Sequence, residues 1–403
     1  MRPLDKPGAG CDTRPTRAAT ASPPTDAPMP QTQVGTSEAL LAELLDWVRT
    51  ETPTTDPAAV NRLMDVAHGE LARAGAEITR IPGRDGFGDN LVARTPGRGK
   101  PVLVAGHLDT VWSHGTLDAM PPRVEGERAH GPGIFDMKAG SFLALHAVRC
   151  ILRQGVPTRR PITLLLTPDE EVGSPTSRDL IEREGARAAC VLIPEPAGVC
   201  GACVTARKGV GRFTLHVQGR GAHSGGNFQD GASATVELAR QIVRLHAMVD
   251  LERGITLNLA PIWGGSRPNV IAPDAGCEID LRVPTAEDGA RMEALLLGSR
   301  AEDPRCTVRV EGGMNRPPMA ETPGILALYE HARAVAAPLG IEMPKQHRGG
   351  ASDGNFTAAL GVPTLDGLGC PGAGAHASHE HILWRHLAPR AALMAGLLET
   401  LGD

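Results

Sequence analysis

Between residues 101 and 196 the chain alternates apolar strand patterns with a helical one, and this constrains the fold more than any other feature. "PVLVAG" (101–106), "PITLLLTP" (161–168) and "AACVLIPEP" (188–196) are continuous apolar runs of strand length. "MKAGSFLALHAVRCILRQG" (137–155) carries helical spacing. Strands without polar alternation belong in a sheet covered on both faces, and strand–helix–strand order favours parallel pairing. The predicted fold class is α/β, a mostly parallel sheet with helices on both faces. Two helices precede it. One starts near Ser37, a candidate N-cap, with Leu40, Leu41, Leu44, Leu45 and Val48 on one stripe. The other runs through "DPAAVNRLMDVAHGELARAG" and stops at Gly75.

After about residue 207 the pattern changes. "GRFTLHVQG", "GITLNLAPIWGG", "GCEIDLRVP" and "RCTVRVEGG" read as strands, with helices in "DGASATVELARQIVRLHAMV" and "AEDGARMEALLLGSR". The order βαββαβ predicts a small α+β domain of ferredoxin-like type over 207–316. Helical and short apolar segments then resume, so this domain reads as an insertion between 37–206 and 317–403.

Residues 1–36 are rich in Pro, Thr and Ala and lack the apolar core of a secretory signal. They read as a disordered extension. No apolar run approaches the ~20 residues of a membrane span. A net charge of −5 and 3% aromatic content offer neither a basic surface nor stacking platforms for nucleic acid. The eight scattered cysteines read as reduced thiols of a cytoplasmic protein, the lone C-x-x-C of Cys200 and Cys203 included.

The ends of the predicted strands carry the chemistry. His107 and Asp109 follow the first, in "GHLDTV". Asp136 opens the long helix, Glu170 and Glu171 follow "LLLTPD", and Glu195 follows "VLIP". A further segment, "GAGAHASHEHI", adds His376, His379 and Glu380. Ligands of open α/β sheets bind at the carboxyl ends of strands, so these groups share one rim. Carboxylates gathered there repel one another unless cations lie between them. Lys138 is a single charge against several. A pair of divalent metals answers better, with Zn²⁺ suited to His and carboxylate ligands and Co²⁺ or Mn²⁺ as substitutes. Of the neighbours Glu170 and Glu171, one can ligate while the other faces a water as general base.

These stretches resemble the co-catalytic zinc exopeptidase superfamily of glutamate carboxypeptidase, aminoacylase-1, acetylornithine deacetylase and succinyl-diaminopimelate desuccinylase. "GHLDTV", "GPGIFDMKAG", "TPDEEVGS", "PEP", "KGVGRFTLHVQGRGAHSG", "GGSRPNVIAP", "GGASDGNF" and "HASHE" follow the family's order across 37–403. "GHLDTVW" and "PEP" are most similar to the glutamate carboxypeptidase branch. The resemblance implies that 37–206 and 317–403 form the metal-binding catalytic domain, and 207–316 a dimerisation and lid domain. His107 and Glu195 would hold one metal, Glu171 and His376 the other, with Asp136 bridging. Asp109 would orient His107, and Glu170 would be the base. The last ligand is His376 or His379; only His376 stands four residues before a Glu. His223 would reach across a homodimer to the substrate carbonyl. Arg282 and Asn269, with Arg316, Lys208 and the backbone at Gly350, would bind the substrate carboxylate. The implied substrate is a small peptide or N-acyl amino acid, with glutamate release suggested by the branch.

Two rival readings remain testable. "GASDG" (350–354) has the form G-x-S-x-G, with Asp366 and His376 downstream, so Ser352 is a formal candidate for a serine hydrolase nucleophile. A non-catalytic binding protein on the same scaffold would be expected to have lost the base or a ligand.

Overall fold

A computed structural model describes residues 29–402. Its main sheet has six strands in the order Glu77–Ile81, Asn90–Arg94, Ile162–Thr167, Val102–His107, Cys190–Leu192 and Thr364–Leu365. The last four run parallel. The first two pair antiparallel and make the sheet mixed. Side-chain alternation splits the buried strand 102–107 between two cores. Val102 and Val104 face the cluster of Leu44, Leu63, Phe142 and Leu397, whereas Leu103 and Ala105 face Ile181 and Phe356. Helices therefore cover both faces.

The second helix is capped as its sequence dictates. Asp56 accepts the Ala59 N–H at 3.1 Å, Pro57 occupies the first turn, and Gly75 closes the end at φ 96°. The first helix differs in detail: Thr36, not Ser37, is the N-cap, and the Ser37 hydroxyl donates to the Arg385 carbonyl at 2.9 Å. Helix Ala139–Gln154 starts against the loop after strand Cys190–Leu192. A Cβ on Gly140 would stand 1.7 Å from the Pro194 carbonyl oxygen, so only glycine permits this approach. It brings Glu195 beside the loop that carries Asp136.

Four antiparallel strands, ordered Thr256–Gly264, Asp274–Val283, Gly209–Gln218 and Thr307–Arg316, form a second sheet. Helices Ala234–His246 and Ala286–Leu297 cover one face, and Phe213, Leu215, Leu238, Ile279, Leu281 and Met292 form a core of its own. A third, small antiparallel sheet joins Gly372–Ala373, His381–Leu383, Arg128–His130 and Arg123–Glu125. "EMPKQHRG" supplies the short strand Lys345–Arg348, which pairs only with Cys203–Arg207. No helix among the described residues is long and apolar enough to cross a membrane.

The disordered extension expected over 1–36 is too long at its end. Residues 1–28 lie outside the described residues, but 29–36 are tied to the fold. Gln31 and Thr32 donate their N–H groups to Glu399 at 2.8 and 2.9 Å, and Val34 is buried. Backbone donors gripped by one distant carboxylate have no compositional signature.

Candidate metal centre

His107 ends its strand with both ring nitrogens committed. Nδ1 lies 3.0 Å from the Asp109 carbonyl oxygen and 3.2 Å from its Oδ1. Nε2 faces Asp136 Oδ1 at 3.6 Å, Glu195 Oε1 at 3.7 Å and Glu170 Oε2 at 4.0 Å, and is buried without a hydrogen-bond partner. With Nδ1 hydrogen-bonded, the Nε2 lone pair points at the carboxylates, as a metal ligand requires. Across the same cavity His376 Nε2 lies 3.4 Å from Asp136 Oδ2 and 3.2 Å from Glu171 Oε2. Asp136 thus presents one oxygen to each histidine. Glu171 Oε1 is buried and unpaired.

Two sets have ligand atoms within 4.8 Å of one another: His107, Glu170 and Glu195, and His107, Asp136 and Glu171. Orphaned donor atoms and oxygen-rich surroundings fit a divalent ion. His376, at φ 61°, holds a left-handed conformation uncommon for a non-glycine residue. His379 is exposed and not part of either set; its carbonyl oxygen lies 2.9 Å from His381 Nδ1.

The metal-free electrostatics are those of a crowded anion cluster. Burial drives the Glu170 carboxyl up to about 8, against the pull of Arg316. Burial, reinforced by Asp136, pushes Glu195 well above the usual range, and burial raises Glu171. Hydrogen bonds that His376 donates to Asp136 and Glu171 hold its pKa up at about 10. Asp136 is buried too, but its contacts to His107 and His376 keep it below the usual carboxylate range. Lys138 does not relieve this charge: its Nζ donates to the Thr50 carbonyl at 2.7 Å, and burial lowers its pKa to about 7.

Asp109 has more to do than its spacing suggested. Its Oδ1 accepts the Glu170 N–H and its Oδ2 the Glu171 N–H, both at 3.2 Å, while Thr54 Oγ1 donates to Oδ2 at 2.8 Å. One carboxylate therefore orients His107 and pins the backbone of both glutamates. Glu380 acts likewise on the Asp136 loop. It accepts the N–H groups of Gly133, Phe135 and Asp136 at 2.9, 2.9 and 3.0 Å, and the Trp112 indole N–H at 2.7 Å. In the sequence Glu380 was visible only as the spacing partner of His376. Asp353 had no signal there; it pairs with Arg316 at 3.0 Å.

The cavity, about 160 Å³, is lined by the acids, His376, Arg212, Arg282, Asn315, Arg316 and Ala351, among others. Arg316 Nη2 contacts Glu170 Oε1 at 2.9 Å. Arg282 is held by both Asp280 oxygens, at 2.7 and 2.8 Å. Arg212, not anticipated, adds a third guanidinium. Other expected residues lie off this cavity. His223 and Asn269 are exposed on adjoining loops of the second sheet's unit, joined by a Ser224 N–H donated to the Asn269 carbonyl at 3.1 Å. The Lys208 ammonium packs beside Gly254. Gly350 is exposed and gives its carbonyl to Arg207 at 3.0 Å.

The serine hydrolase constellation is not assembled. The Ser352 hydroxyl donates to Asp366, Asp366 is paired with Arg207 at 2.6 Å, and His376 faces Asp136 and Glu171 instead.

Known proteins are similar to this chain in sequence and fold. The family model for peptidase family M20/M25/M40 matches residues 103–400. Carboxypeptidase G2 of Pseudomonas sp. (strain RS-16) is 31% identical over 379 residues, covering 91% of this chain and 90% of its own. Acetylornithine deacetylase of Myxococcus xanthus is 28% identical over 78% of this chain and 88% of its own. Among solved structures, a tripeptidase of Staphylococcus aureus superposes with a TM-score of 0.77 at 18% identity, covering 91% of this chain and 99% of that one. The sequence matches and the shared fold agree: this chain belongs to the M20 peptidase family of metal-dependent hydrolases.

Proposed function

We propose that this enzyme uses a pair of divalent ions, most naturally Zn²⁺, to hydrolyse the amide bond to a C-terminal or N-acylated amino acid. The observation that carries this reading is Asp136, with one oxygen toward His107 and the other toward His376. In it, His107 and Glu195 would hold one ion and Glu171 and His376 the other, with Asp136 available to both. Ions held there supply Lewis acidity and lower the pKa of water.

The chain's own residues do the rest. Glu170 would take the proton of the attacking water and return it to the leaving nitrogen. Arg316, 2.9 Å from Oε1, keeps that carboxylate oriented. Arg282 and Arg316 line the cavity and would offer their remaining N–H groups and charge to a free carboxylate. Asn269 lies off this chain's cavity beside His223 and would reach the carboxylate only from a partner subunit; Lys208 and the Gly350 backbone, also off the cavity, would join it only on closure. Cleavage is then confined to chain ends and N-acyl amino acids. Release of glutamate, N-acyl deacylation and dipeptide cleavage are all members of this class; the similarity to carboxypeptidase G2 favours the first.

Residues 207–316 are read as a ferredoxin-like dimerisation and lid domain inserted in the catalytic domain of 37–206 and 317–403. Its separate core and the element order βαββαβ support this. In a homodimer His223 would then complete the partner's site and stabilise the oxyanion. Its exposure away from this chain's own cavity supports that role. The buried free thiols of Cys190, Cys203, Cys277, Cys306 and Cys370 fit a reducing, cytoplasmic setting.

A hydrolysis panel tests the proposal: N-acyl amino acids and dipeptides varied at the C-terminal residue, each beside its C-terminal amide. Turnover of the free acids with strong discrimination against the amides is expected. Equal turnover of acids and amides, or cleavage of internal peptide bonds, contradicts it.

A further inference from the structure

The small antiparallel sheet beside the catalytic loop holds a histidine pair that the hydrolytic reading does not use. His130 and His381 stand directly opposite each other on neighbouring strands, so their side chains share a face. Their ring centroids are 5.2 Å apart. Both residues are buried, at 6% and 8% exposure. Neither nitrogen of His130 has a hydrogen-bond partner among the described residues. An imidazole with both nitrogens buried and unmet is costly, and such a group calls for an unseen water or ion. His381 Nδ1 faces the His379 carbonyl oxygen at 2.9 Å, which places the hydrogen there and leaves the Nε2 lone pair free. A third donor is at hand: Glu125 Oε2 lies 3.7 Å from His130 Nε2 on a side chain that is 60% exposed. It is now held by Arg123 Nε at 2.7 Å and can turn from it.

We propose that His130 and His381, with Glu125 as a mobile third ligand, form an accessory site for one transition-metal ion of the Zn²⁺, Ni²⁺ or Cu²⁺ class. Two imidazoles and one carboxylate suit these ions, and exclude Mg²⁺ and Ca²⁺, which want oxygen. Burial, together with the charge of Arg123, keeps His130 neutral and its lone pair available. The catalytic ligand sets include neither histidine, and the ligand atoms of His130, His381 and Glu125 do not all lie within 4.8 Å of one another as they stand, so this separate site forms only when Glu125 swings in. It would clamp two strands that flank the catalytic centre. His130 leads into residues 131–136, and His381 follows Glu380, which holds that loop.

Zinc per chain, counted by mass spectrometry after gel filtration, tests this in wild type, His130→Gln, His381→Gln and Glu125→Gln. Wild type should carry one more equivalent than either histidine variant, and Glu125→Gln should bind that equivalent more weakly. A second measurement needs no variant: one equivalent of Cu²⁺ added to metal-stripped wild type, read by electron paramagnetic resonance. The accessory site predicts coupling to two nitrogens, whereas the catalytic ligand sets offer one histidine per ion. Equal zinc counts in all four chains, or a Cu²⁺ signal without two-nitrogen coupling, would overturn the assignment.

Discussion

Glu380 Oε1 accepts the backbone N–H of Asp136 at 3.0 Å, so the residue that faces both histidines is held in place by a carboxylate from the far end of the chain. The same Oε1 takes the Phe135 N–H at 2.9 Å. Glutamine offers one acceptor oxygen and an amide that clashes with these donors. Glu380→Gln should therefore weaken metal binding by about 10–100-fold, the usual loss when a ligand's support is removed. Competition with a chromogenic chelator measures it. Wild-type affinity in this variant would show that Glu380 does not position Asp136.

Arg316 lowers the proton affinity of Glu170, countering burial. Removing the guanidinium raises the pKa of Glu170, so if Glu170 is the base proposed above, Arg316→Gln should move the acidic limb of the kcat/KM profile to higher pH. An unmoved limb, with metal content intact, would separate Arg316 from the base.

Without ions the acid cluster should contribute less stability as pH rises, whereas Lys138, lowered to about 7 from 10.5, acts the other way between those values. Glu170 titrates near 8 when folded against an ordinary 4.5, so between those values the folded state binds the extra proton. Stability contributed on that account falls as pH climbs from about 4.5 to about 8. His376, raised to about 10 from 6.5, acts in the same direction: its contribution is full below 6.5 and lost on the way to 10. Bound ions replace these protons, so the Tm gap between loaded and chelator-stripped protein should widen from pH 5 to pH 9. Calorimetry that finds a constant or narrowing gap would contradict the charge account.

Ser352 serves structure. Its hydroxyl donates to Asp366, which also binds Arg207 through Oδ1 at 2.8 Å. Ser352→Ala should lower Tm, with a loss of roughly 1–3 kcal/mol for a buried bond to a charged group, yet keep kcat within about twofold. Abolished turnover with normal metal content would revive the serine nucleophile.

The rim of the site was legible because continuous apolar strands announce themselves and functional groups gather at their carboxyl ends. His107 directly after "PVLVAG" and Glu195 after "VLIP" needed no structure to be paired. Periodicity does not report pairing direction, so the antiparallel strands Glu77–Ile81 and Asn90–Arg94 in the main sheet were not foreseen. Side chain to backbone bonds over long separations leave no local pattern either. Glu380 and Phe135 are 245 positions apart, and the grip of Glu399 on residues 31 and 32 spans nearly the whole chain. Lys138 was weighed as a counter-charge from proximity in sequence alone; the turn at 134–138 aims it at Thr50 instead.

The central claim is that Glu170 is the base and not a ligand the ions need. It is tested most directly by measuring kcat and bound metal together in wild type and Glu170→Gln, on the best substrate of the panel. The account predicts that metal content stays at the wild-type level while kcat falls by about 10²–10⁴-fold, the range for a lost general base. Retained turnover, or loss of an ion along with the activity, would contradict it.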